Sequence, residues 1–154
     1  MYLTIKLIHI LSSTMLFGTG LGTAFSMWRA HASHDPRVIA VVARNVAMAD
    51  WVFTTPAVVV QPITGMMLAK AMGFALTSNW LALSIALYAF VGACWIPVVW
   101  LQLRMCELAR VAASVGAPLP ADYERYYRRW FMLGWPAFLG VIGIFVLMVF
   151  KPVL

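Results

Sequence analysis

Four long apolar stretches decide what this chain can fold into. They run roughly over residues 3–27, 46–71, 80–103 and 131–150. Each can cross a hydrocarbon core of about 30 Å, which takes about 20 helical residues. Composition agrees: 64% of the 154 residues are hydrophobic and 10% are charged, far from the roughly half apolar and quarter charged of soluble domains. The expected fold is therefore all-α: a single integral membrane domain over residues 1–154, arranged as a four-helix transmembrane bundle running up-down-up-down. Ala30 to Ser33 offer a small-x-small cleavage pattern after the first stretch. That stretch exceeds the roughly 7 to 15 apolar residues of a signal peptide, so it is expected to stay as a span.

The net charge of +6 does not point to nucleic acid, because of where the charges fall. Arg29, Arg37 and Arg44 lie between the first two spans, and Arg104, Arg110, Arg125, Arg128 and Arg129 between the last two. All eight share one side, while Lys6, Lys70 and Lys151 sit at span ends on the other. The positive-inside rule then makes the arginine loops cytoplasmic, so that both termini face the outer side. Tyr123, Tyr126, Tyr127 and Trp130 accompany the arginines as an interfacial belt, which anchors the protein or binds acidic lipid or a partner. Asp122 is expected to cap the helix they begin. The short link from Gly73 to Asn79 is expected to make the second and third spans antiparallel neighbours.

Cys94 and Cys106 are the only cysteines, 12 positions apart on one helix. That separates them by about 18 Å, too far for a disulfide. No Ser-His-Asp set, phosphate loop or paired catalytic carboxylates occur. Gly18 and Gly22 have the GxxxG spacing of close helix approach, with Gly140 and Gly143 in the last span. Such glycines either pack helices or make room for a flat ligand. Pro56, Pro62 and Pro97 lie within spans, where each disturbs the backbone ladder and opens space between helices.

Polar side chains converge at one depth. At about 1.5 Å per residue, His9 lies roughly 10 Å below the outer boundary. Gln61 and Thr64, Ser84 and Tyr88, and Gly143 fall near the same level on the other spans. Lys6 and Ser13 share the His9 face of the first helix. A neutral imidazole there can coordinate a metal, and Lys6, Lys70 and Lys151 can reach the headgroups above it. The pattern suits a heme between the helices, with its iron at His9 and its carboxylates toward the lysines. The plainer alternative is a histidine bonded to a neighbouring Ser or Gln under ordinary anchoring lysines. Three further groups are open to two readings. His31 and His34, with Asp35, form a metal site or a solvated loop; Asp50 pairs with Arg44 or another loop arginine, or relays protons; Trp95, Trp100 and Gln102 pack together, or line a second cofactor or quinone pocket.

"IKLIHI" in the first span, "PITGMML" in the second, "NWLALS" in the third and "WPAFLGVIGIFVLMVFKP" at the end are similar to HemJ-type protoporphyrinogen IX oxidases. The chain resembles still more closely a related group of uncharacterised four-span bacterial membrane proteins. The resemblance covers all four spans, and its most specific parts are the Lys6-x-x-His9 pair and the terminal Lys151-Pro152. It implies heme b on His9, with the histidine closing the family's first span falling near His31. The essential lysine of the family's third span falls on Ser84, and the asparagine and glutamate before its fourth-span proline on Leu133, Gly134 and Trp135. The resemblance therefore carries over the porphyrin layer better than the oxidation itself. The resulting expectation is a heme-b-binding membrane redox protein with a substrate of its own, in contact with lipid, porphyrin and quinone. Its rival is a non-enzymatic structural or assembly subunit, acting as a homo-oligomer or in a larger membrane complex.

Overall fold

A computed structural model describes residues 1–152. Among them all regular structure is helical: α1 (Tyr2–His31), α2 (Pro36–Ala49), a π-helical turn (Asp50–Thr54), α3 (Thr55–Ala71), α4 (Asn79–Val115) and α5 (Ala121–Phe150). The π turn joins α2 and α3 into one continuous rod, giving four helices long and apolar enough to cross a membrane. The rods alternate in direction, so Met1 and Pro152 lie with the lysines at one end and the arginines gather at the other.

The helices reach well beyond the apolar runs at the arginine end. The rod containing the second span begins ten residues before residue 46, at Pro36, where the fixed φ of proline suits a first turn and the Asp35 carboxylate accepts from the Arg37 amide at 2.8 Å. α4 continues past residue 103 to Val115, ending where Gly116 takes a left-handed φ of 65° that any side chain would disfavour. The expected long connection from 104 to 129 is thus mostly helix, with residues 116–120 as its only irregular part. Asp122 does not cap α5, because the helix starts from Pro120 and already includes Asp122 in its first turn. There its carboxylate pairs with Arg125 at 3.3 Å.

Packing is uneven along the membrane normal. The core of Met27, Ala30, Ile39, Ala43, Leu101, Met105, Ala109 and Tyr123 lies at the arginine end, where α1, α2, α4 and α5 meet. Toward the lysine end the bundle divides into two pairs, α1 with α3 and α4 with α5, and α1 meets α5 through aromatic rings, Phe17 lying against Phe138 and Phe145 at 5.4 and 5.6 Å between centroids. The short 72–78 link does make α3 and α4 antiparallel, but they pack little against each other. A link at one end fixes direction without forcing contact along the whole length.

The prolines account for two local features. Pro56 cannot donate the next helical hydrogen bond, and the backbone before it widens, so that the Thr55 amide reaches back five residues to the Asp50 carbonyl. The Thr55 hydroxyl donates to the same carbonyl at 2.9 Å. Pro62 likewise leaves the Val58 carbonyl without its amide partner. Tyr88 of α4 donates its hydroxyl to that oxygen at 2.6 Å, which meets the requirement that backbone groups in lipid find partners within the protein.

Candidate functional site

His9 is held between α1 and α3 by a short polar network. Its Nδ1 lies 2.8 Å from Thr64 Oγ1, and that hydroxyl donates to the Val60 carbonyl at 2.7 Å. A threonine hydroxyl has one hydrogen, so its oxygen must accept at the imidazole, which places the ring proton on Nδ1. Nε2 keeps its lone pair and has no side-chain hydrogen-bond partner among the described residues. From one turn earlier on α3, Gln61 Nε2 donates to the His9 carbonyl at 2.8 Å and to Ser12 Oγ at 2.9 Å. Ser12 also donates back to the His9 carbonyl at 3.1 Å. The ring passes close to the α3 backbone, and Gly65 leaves it room: a Cβ there would stand 3.4 Å from His9 Cε1.

One turn below His9 a cleft opens between the two helix pairs. It has a volume of about 440 Å³ and extends from Ser13 to the level of Trp28 and Trp130. Its walls are almost wholly apolar, with Phe17, Trp95, Trp135, Phe138 and Phe145 among them. Ser13, Gln61 and Tyr88 reach it near the His9 end, and Asp50, Thr54 and Gln102 near the arginine end. Size and lining match sites that hold small apolar molecules.

At the far end of the cleft, Asp50 is buried and receives a hydrogen bond from Thr54 Oγ1 at 2.9 Å. Gln102 of α4 stands near the same carboxyl, while its Oε1 and the indole Nε1 of Trp130 are buried without hydrogen-bond partners among the described residues. No ion pair links Asp50 to Arg44 or to another arginine among the described residues, so the expected pairing is not made. Helix geometry explains this: a six-residue offset carries Arg44 to another face, where it is exposed.

The residues of the expected layer separate into groups. His9, Thr64 and Gln61 come together, and Tyr88 stands across the cleft from them with Ser13 on its wall. Ser13 bonds only its own helix, at the Ile10 carbonyl. Ser84 is buried but donates to the Trp80 carbonyl of its own helix. Gly143 lies at the α4–α5 contact, where a Cβ would meet Leu87 at 3.4 Å. Lys6 and Lys70 are exposed, and Lys151 lies over the rings of Phe74 and Trp80 at 5.1 and 5.9 Å. Neither His9 nor any of the three lysines lines the cleft, which extends from Ser13 toward the arginines.

Gly18, Gly20 and Gly22 have nothing within 4 Å of the place a methyl group would occupy, so the GxxxG spacing of α1 joins no helix within the chain. Gly140 is the close approach, with Val91 Cγ2 at 2.6 Å from the place of its Cβ. His31 stacks on Tyr127 with ring centroids 3.5 Å apart and reaches Glu124 at 3.9 Å. No group of three or more metal-ligating His, Cys, Asp or Glu occurs among the described residues. Ser12 and the Asp50–Thr54–Gln102 group were not expected as networks. Ser12 is three residues from His9, a spacing that signals a shared face.

The chain matches a family described as "Predicted integral membrane protein (DUF2269)" over residues 3–152, and it belongs to that family. No curated protein and no solved structure matches it.

Proposed function

We propose that this member of the DUF2269 family is a heme-b-binding redox protein of the bacterial cytoplasmic membrane, with His9 as the axial ligand. The observation that carries the reading is the His9–Thr64 pair beside an aromatic-walled cleft. Thr64 fixes the imidazole as the Nδ1–H tautomer and so directs the lone pair to Nε2, as partners behind a ligating histidine commonly do. Heme needs one protein nitrogen and an apolar enclosure; on this reading His9, one turn outside the lining of the cleft, would supply the first and the cleft the second. Heme b, when bound, supplies one-electron chemistry.

The chain's own residues orient and enclose. Gln61 ties α3 to the His9 turn through the His9 carbonyl and Ser12, holding the ligand's backbone in place. Tyr88, anchored on the Val58 carbonyl, keeps the opposite wall at a fixed distance. Lys6, Lys70 and Lys151 supply positive charge at the helix ends nearest His9 for acidic groups at the lipid surface, and a membrane quinone is the electron partner that this reading implies. Protein purified from heme-replete cells is expected to show a Soret band that is absent from His9→Ala. A colourless wild-type protein overturns the proposal.

A second reading, an assembly subunit or homo-oligomer, is favoured by one observation: Gly18 and Gly22 are exposed on α1 with open space before them. Substituting leucine at both positions would then abolish crosslinking to a neighbouring chain in native membranes. Equal crosslinking by the variant contradicts this reading.

A further inference from the structure

The outer surface of α4 and α5 carries a second concavity, at the arginine end of the membrane. Pro97, Trp100, Leu101, Arg129, Met132 and Leu133 line it. Its apolar residues come from within the hydrophobic runs of both helices. Arg129 is the only charged residue in the wall, and it lies at the end away from the membrane centre. Arg104 Cζ stands 5.5 Å over the Trp100 ring, bringing a second guanidinium to the same end. Tyr126 packs its ring edge against Trp100 at 5.7 Å, holding the indole in position.

Charge distinguishes this groove from an ordinary lipid-facing surface. Arg110 is engaged by Glu107 at 2.7 Å and Arg125 by Asp122 at 3.3 Å. Arg104 and Arg129 form no ion pair among the described residues, and both are exposed. Two guanidinium groups without a contacting carboxylate among the described residues, above an apolar trough with a tryptophan at the boundary, complement a phosphate headgroup joined to an acyl chain. Arginine suits phosphate because its planar fork bonds two oxygens at once. Basic pockets between transmembrane helices recognise anionic lipid in this way.

We infer that the α4–α5 groove is a binding site for one anionic phospholipid, its phosphate held by Arg104 and Arg129 and an acyl chain lying along Pro97, Leu101, Met132 and Leu133. Trp100 stands at the junction of headgroup and chain. The site is independent of the heme reading, since the groove shares no lining residue with the central cleft.

The test is lipid retention by the purified full chain, read by native mass spectrometry after exchange into mixed micelles of phosphatidylglycerol and phosphatidylcholine. Wild type is expected to retain one phosphatidylglycerol in preference to phosphatidylcholine. Arg104→Gln and Arg129→Gln should each lower that preference about fivefold, since a basic residue near anionic lipid contributes about 1 kcal/mol. Arg37→Gln, on another helix, should leave it intact. Met132→Trp, which fills the trough without changing charge, should also displace the lipid. Equal retention of the two lipids by wild type overturns the proposal, as does a loss in Arg37→Gln as large as in the groove variants.

Discussion

The hydroxyl of Thr64 decides the state of the most consequential side chain in the bundle. By donating to Val60 it can only accept from His9, and the imidazole is left with one committed and one open nitrogen. Thr64→Val preserves shape and removes the acceptor. Heme titration of this variant is expected to show affinity reduced about 10- to 100-fold, the usual cost of losing a partner behind a ligand. Tyr88 serves structure instead, by taking up the carbonyl that Pro62 strands. Tyr88→Phe should lower stability in detergent by about 1 kcal/mol, within the range found for hydrogen bonds in membrane bundles. Thermal unfolding of the two proteins checks it, and an unchanged midpoint would mean that the Val58 carbonyl finds another donor.

The helices differ in how they use their small residues. Gly140 allows α4 and α5 to meet so closely that a methyl group would lie 2.6 Å from Val91 Cγ2, and a β-branched side chain has little freedom to withdraw. Gly140→Ala should therefore destabilise by about 1 to 3 kcal/mol, the usual range for overpacking. Gly18→Ala should leave the isolated chain nearly unchanged, since nothing stands near that position. Chemical denaturation of both variants separates these outcomes, and equal effects would contradict the packing described. The sequence showed the four spans and the His9 level because long apolar runs and single polar residues within them are local signals. It did not show which glycine was tight, since Gly18-x-x-x-Gly22 and Gly140 look alike until the partner helix is known. Nor did it show that α4 runs to Val115: the amphipathic stretch after residue 103 is polar enough to resemble a loop. The meeting of Asp50 and Gln102 depends on a π turn and on the packing of α2 against α4, neither written in residue spacing.

At the scale of the whole molecule, a core closed at the arginine end and two helix pairs above it, joined across the gap by Phe17 against Phe138 and Phe145, enclose the cleft. The same asymmetry of charge argues for orientation: the arginine end should face the cytoplasm. With Cys94 and Cys106 replaced by alanine, Ser33→Cys should react only with reagent admitted to the cytoplasm. Thr77→Cys, in the opposite loop, should react from outside in intact cells. The reverse pattern would invert the topology. Everything proposed for His9 requires that the space beneath it is a site rather than a packing flaw. An experimental structure of the protein in lipid nanodiscs, prepared from heme-replete cells, decides between the two. It should reveal a flat tetrapyrrole between the helix pairs with its iron bonded to His9 Nε2. A cleft filled by lipid chains or closed by its own aromatic residues, with Nε2 bound to nothing, would contradict it.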